Sequence, residues 1–147
     1  DFMNPSVFHG NVYYKTLPKN EIIRGFEKFK NIFFKSRKIS TENFKVYLNL
    51  EILKNSPPDF PVLVGFLIPK KHFKLAVKRN YLKRILKELY RKHKTLLQVP
   101  NGYIVNLIFT FSDLAFENEK RYNNLNFNDS VIEFNDLIKE INKYLVK

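Results

Sequence analysis

The chain contains no cysteine, which excludes a disulfide framework and any thiolate metal site. That absence fits a reducing compartment. No apolar run approaches the roughly 20 residues that a membrane-spanning helix needs. Residues 1–10 lack the charged start and apolar stretch of a signal peptide. Glycine is scarce, and the four present, at 10, 25, 65 and 102, do not cluster into a phosphate-binding loop. His9, His72 and His93 lie far apart and have no metal-ligand partners nearby in sequence. Asp113, Glu117 and Glu119 gather in one polar stretch but match no metal motif. Acids are in short supply overall, 14 against 26 Lys and Arg, for a net charge of +12. A globular chain this basic repels itself, so a polyanionic partner is expected.

Against these absences stands an abundance of rings, fifteen Phe and eight Tyr, in a chain that is 44% hydrophobic. The 147 residues suffice for one domain with a substantial core. Residues 1–16 are aperiodic and read as an arm, extended or only partly ordered. Leu17–Glu21 reads as a helix entry with a capping Asn20. Ile22, Phe26, Phe29 and Phe33 then recur on one helix face over about 20–34. Lys35–Lys38 reads as a basic connector. From Phe44 to Leu53 apolar residues alternate with Lys45, Tyr47, Asn49 and Glu51, the pattern of a half-buried strand. Three prolines make 55–61 a loop. Val62–Ile68 is a buried strand by its apolar run. A helix is expected over about 76–97, a third strand over 103–111 and a polar loop over 112–128. The last helix, about 131–146, opens on a Ser130/Glu133 capping box and carries Phe134, Leu137, Ile138, Ile141 and Leu145 on one face. Helix, strand, strand, helix, strand, helix predicts an α+β sandwich on a small sheet, residues 17–147 forming one domain.

The charge is concentrated. Between Pro69 and Lys94 stand eight lysines, three arginines and a single acid, Glu88. With Leu82 as origin and about 100° per residue, Ile85, Leu86, Leu89, His93 and Leu96 fall within about 60°. Arg79, Asn80, Lys83, Arg84, Lys87, Arg91 and Lys94 occupy the adjoining sector, and Lys70, Lys71 and Lys74 extend the patch into the preceding loop. A solvated helix face usually mixes signs; this one does not. Phosphate neutralisation with counterion release is the expected mode of binding, and charge alone does not separate RNA from DNA.

Ala76-Val77-Lys78-Arg79-Asn80-Tyr81-Leu82-Lys83-Arg84 resembles the signature of the ribonuclease P protein-subunit family, roughly A-V-x-R-N-R-x-K-R. Val64-Gly65-Phe66-Leu67-Ile68-Pro69-Lys70-Lys71 is similar to the family's V-G-(apolar)-x-V-S-K-K. Leu17-Pro18-Lys19, and Phe29–Phe33 followed by Arg37–Ser40, resemble its opening segments. Tyr81 stands where the family has a second Arg, Pro69 replaces a Ser, and Ser36 replaces a common Gly. The resemblance implies an α-β-β-α-β-α sandwich with a left-handed β-α-β crossover. It also implies the accessory protein of a cytoplasmic endoribonuclease whose catalytic RNA removes the 5′ leader of precursor tRNA. The implied partners are that RNA and precursor tRNA, with no membrane, and the protein is expected to be monomeric outside the complex. Mg²⁺ would be held mainly by the RNA, with none bound by the protein alone and no catalytic residue on the chain. Lys70, Lys71, Lys74, Arg79, Asn80, Lys83, Arg84, Lys87 and Arg91 would contact RNA, and Phe29, Phe33, Tyr47, Arg37 and Lys38 would line a cleft for the unpaired leader. Phe at helical spacing reads first as core. Tyr47 lies on the polar-facing side of its strand, where a purely structural ring is less expected. The rival reading is a non-enzymatic RNA-binding module, such as a ribosome-associated protein. A membrane-surface or DNA-binding protein is a more distant one.

Overall fold

The computed structural model describes residues 17–54, 60–117 and 127–146. The arm 1–16, most of the proline loop and the segment 118–126 fall outside these residues. Among the described residues the sheet has four strands rather than three: β1 (Arg37–Ser40), β2 (Phe44–Ile52), β3 (Val62–Phe66) and β4 (Tyr103–Phe111), in the order β1-β2-β4-β3. β1 was expected as a basic connector. Arg-Lys-Ile-Ser has little strand pattern of its own, and its antiparallel ladder to β2, Arg37 opposite Leu48 and Ile39 opposite Val46, makes it a strand. Its turn is held from outside. The Glu133 carboxylate accepts hydrogen bonds from the Asn43 backbone N–H at 2.6 Å, from Asn43 Nδ2 at 2.7 Å and from the Thr41 hydroxyl. Glu133 therefore ties the β1–β2 turn rather than closing a capping box, and Ser130 lies inside the helix with its hydroxyl buried.

Among the described residues the α-helices are α1 (Phe26–Lys35), α2 (Ala76–His93), α3 (Asp113–Glu117) and α4 (Phe127–Leu145). The first expected helix breaks in two. Lys19–Glu21 forms one 3-10 turn, after which Ile22 is extended and pairs with Val64, while the Ile23 N–H donates to Val64 O at 2.9 Å. This segment covers the free edge of β3, which would otherwise expose unpaired backbone. Gly25, at φ 89°, makes the left-handed turn into α1 and is its N-cap, in place of Asn20. The restart makes Phe26 the first residue of the helix, where it is 77% exposed, while Ile32 is buried and Phe29 and Phe33 pack toward the sheet.

β2 is buried on both sides from Phe44 to Leu48, not half-buried. On one sheet face Phe44, Val46 and Leu48 stand beside Phe111, Phe109 and Leu107, and β3 adds Val62 and Val64. Against them pack Leu82, Ile85, Leu86, Leu89 and Tyr90 of α2 and Phe134, Leu137, Ile138, Ile141 and Leu145 of α4. Burying each such side chain stabilises the fold by roughly 1.5–3 kcal/mol. His93 belongs to this core, with Nδ1 2.6 Å from Leu89 O. Leu96 does not: α2 ends at His93, a 3-10 turn follows, and Leu96 is half exposed while Tyr90 takes a core position. On the other face α1 sits over Tyr47 and Ile108 through Ile32, Phe29 and Phe33. β3 and β4 are parallel neighbours joined through α2, so the basic segment is the crossover itself.

Candidate nucleic-acid interface

The basic segment is built on an unusual helix start. Leu75 caps α2 without a side-chain hydrogen bond, and the first turn contains no acid. The positive end of the helix dipole thus meets more positive charge, an arrangement that costs stability and favours an anion. Arg79 holds the approach loop in place, its Nη1 donating to Phe73 O at 2.7 Å and to Lys74 O at 2.8 Å. Lys70, Lys71 and Lys74 are exposed beside it, as are Asn80, Arg84 and Lys87, and Lys83 is half-buried. Leu75 and Val77 leave their side chains in water at the same end, 74% and 81% exposed.

Not every cation of the stripe is equally available. Arg91 is chelated by Glu88, with contacts of 3.2 and 2.9 Å. Lys94 bonds the buried Glu21 at 2.8 Å and lies over the Phe60 ring. Lys83, Arg84 and Lys87 make no ion pair among the described residues. Tyr81, the departure from the signature, turns off the stripe and packs partly buried against the main core. His72 lies flat against Phe116, with ring centroids 4.5 Å apart and planes 5° from parallel, and so extends the loop's surface with an aromatic plane.

The cleft residues separate. Phe33 rests on Tyr47 at 4.5 Å, and Phe29 is partly buried on the same cluster. Lys38 reaches over the Tyr47 ring at 5.9 Å. Tyr47 was expected toward solvent; α1 covers it, leaving 7% exposed. Arg37 is on the opposite face, its guanidinium 4.8 Å from the Tyr144 ring on α4, because alternate residues of β1 point to opposite sides of the sheet. Its place is filled by Lys45, which lies 5.4 Å from the Tyr47 ring and bonds Asp113 at 2.9 Å. Burial pulls the Lys45 pKa down, but the hydrogen bonds with Asp113 and Tyr47 outweigh it and leave it raised; the same bond to Lys45 lowers Asp113. Lys45 was readable from sequence only as a polar-face neighbour of Tyr47.

Gly65 explains how α1 can lie so close. A Cβ there would stand 2.9 Å from Phe29 Cε2 and 3.4 Å from Ile23 Cδ1. Along the other flank of α1 runs a groove of about 870 Å³, lined by Lys28, Asn31 and Lys35 from the helix and by Asn49, Glu51 and Lys54 from the β2 end. Asn106, fully buried in β4, donates to both Asn49 and Glu51, at 3.2 and 2.9 Å. Among the described residues no group of three potential ligands could hold a metal ion, and no helix is long and apolar enough to cross a membrane.

The same architecture occurs in solved structures. The RNase P protein from Thermotoga maritima superposes with a TM-score of 0.60 at 21% identity, covering 82% of this chain and 96% of that one. The Staphylococcus aureus RNase P protein gives 0.56 at 20% identity, covering 85% and 97%. In sequence, the ribonuclease P protein component of Nitrosococcus oceani is 36% identical over 69 residues, 47% of this chain and 53% of that protein. That of Petrotoga mobilis is 33% identical over 89 residues, 60% and 68%. The chain spans about half the length of the Nitrosococcus oceani and Chlorobaculum tepidum proteins it matches. The family model described as Ribonuclease P matches residues 17–142. A match over nearly the whole described fold, with the basic crossover helix at its centre, shows that this chain belongs to the ribonuclease P protein-component family.

Proposed function

We propose that the chain is the protein subunit of ribonuclease P, binding a catalytic RNA through α2 and the 5′ leader of precursor tRNA beside α1. The observation that carries this reading is the division of α2. One side is sealed into the core, while the adjoining side and the loop before it carry cations whose single local acid is taken up by Arg91. Lys70, Lys71, Lys74, Asn80, Lys83, Arg84 and Lys87 are the phosphate contacts in this reading, with Arg79 shaping the loop that presents them. Arg91 joins them only by giving up Glu88. The leader would meet Phe29, Phe33 and the rim of Tyr47, with Lys38 and Lys45 supplying charge. Unpaired bases stack on such rings. Mg²⁺ in this reading is held mainly by the RNA. The chain's own part is to neutralise phosphates and orient the leader.

The test is cleavage of precursor tRNA by a bacterial ribonuclease P RNA at low Mg²⁺, with and without the protein. The expected result is a lowered Mg²⁺ requirement with cutting at the mature 5′ end. RNA binding that leaves cleavage unchanged would point instead to a non-enzymatic RNA-binding module.

A further inference from the structure

We propose that the exposed row from Phe26 to Phe34 on α1 is a second stacking track for single-stranded RNA, receiving leader nucleotides that lie beyond those in the cleft. The inference rests on the leader-binding reading above and extends it.

Phe26 and Phe34 are 77% and 73% exposed. Neither ring is needed by the core, which α1 meets through Ile32, Phe29 and Phe33. Single exposed apolar residues are ordinary, but these two are organised. Phe26, Lys30 and Phe34 follow at i, i+4 and i+8, a row of surface neighbours over about 12 Å that drifts about 40° per step, from beside Phe33 toward the outer side, with a cation between the rings. The stripe is also continuous with the cleft. Phe34 meets Phe33 edge to face at 6.2 Å and 84°, and Phe33 in turn rests on Tyr47 at 4.5 Å. A chain of rings thus runs from the sheet, over the helix, to its outer side.

Charge selects the occupant. α1 carries Lys28, Lys30 and Lys35 against one acid, Glu27. Alternating rings and cations match a strand with a base face and a phosphate at every step, and this kind of stacking is indifferent to sequence. An apolar protein partner would gain nothing from the lysines.

The chain has no tryptophan, so Phe34→Trp introduces a single reporter at the site. Its emission is followed in the complex with a bacterial ribonuclease P RNA as precursor tRNAs with progressively longer leaders are added. The expected result is unchanged emission with short leaders and quenching once the leader outgrows the cleft. In parallel, Phe26→Ala with Phe34→Ala should weaken binding about tenfold for long leaders and leave short-leader affinity at the wild-type value. Both residues are exposed, so circular dichroism should show an intact fold. Emission that never responds while cleavage proceeds overturns the proposal, as does an affinity loss equal at every leader length. A concentration-dependent shift without RNA would show a second copy of the chain on this face. A blue-shifted emission at high dilution without RNA would show that another part of this chain covers it. Either of these also overturns the proposal. If the wild-type protein neither binds the catalytic RNA nor assists cleavage, the underlying functional reading has failed instead.

Discussion

Replacing Gly65 with alanine adds one methyl group where the structure has no room for it. The new Cβ would lie 2.9 Å from Phe29 Cε2, closer than real Cβ contacts come, and 3.4 Å from both Phe29 Cδ2 and Ile23 Cδ1. Gly65 is buried in β3 opposite Ile108, so the strand is held by its ladder and cannot retreat. The Phe29 ring, and α1 with it, must give way. Overpacking of this kind costs about 1–3 kcal/mol, which for a chain of this length lowers Tm by roughly 3–10 °C. Thermal unfolding of Gly65→Ala, Phe29→Leu and the double variant forms a cycle. The smaller leucine should relieve the clash, making the double variant more stable than the sum of the singles by at least about 0.5 kcal/mol. The displacement also disturbs the Phe33–Tyr47 contact, so affinity for leader-bearing precursor tRNA should fall while binding to the catalytic RNA through α2 stays at the wild-type level. A Gly65→Ala protein as stable as wild type, or strictly additive effects in the cycle, would refute the claim that this glycine seats α1.

Lys83→Glu with Arg84→Glu should weaken RNA binding by an order of magnitude or more at low salt and flatten its salt dependence by roughly one to two phosphate contacts, with Tm unchanged; an unaltered salt slope counts against the α2 interface. Glu133→Ala removes the acceptor for the Thr41–Asn43 turn and should cost about 2 kcal/mol. Faster hydrogen exchange in β1 and the start of β2 would localise the effect, and uniform exchange would contradict it. Asp113 is lowered from 3.8 and Lys45 raised from 10.5, so their pairing stabilises the fold above the first value and below the second. It is lost as pH falls through the Asp113 pKa or rises through that of Lys45. Asp113→Asn should therefore cost under about 1 kcal/mol at neutral pH, because Asp113 is largely solvent-exposed, and the difference from wild type should fade as pH drops below 3.8 through the lowered Asp113 pKa. A difference that persists there would show that the pair is not its source.

Long periodic segments were legible without coordinates. α4 shows its apolar face in Phe134, Leu137, Ile138, Ile141 and Leu145, because a 3.6-residue repeat over five turns leaves one way to bury it. α2 and its cationic side were equally plain, since eleven bases against one acid within one segment survive any error in its ends. The element order followed from these, and so did the resemblance to the family.

What the linear pattern did not contain was every feature made by contact between distant residues. β1 exists because β2 offers it a ladder and Glu133, some ninety positions away, holds the turn. Tyr47 looked solvent-facing by alternation, yet α1 covers that face as well, and no local period records what a second layer will do. Arg37 and Lys38 are adjacent in sequence and lie on opposite sides of the sheet once strand geometry replaces the expected loop. The turn at Gly25 makes Phe26 the first residue of α1, and a ring expected in the core stands exposed at the helix end. The sequence by itself determined the class of fold and where the positive charge gathers. Only tertiary packing decided which rings and cations face the sheet and which remain free for a partner, because burial is a property of two surfaces and the sequence displays one at a time.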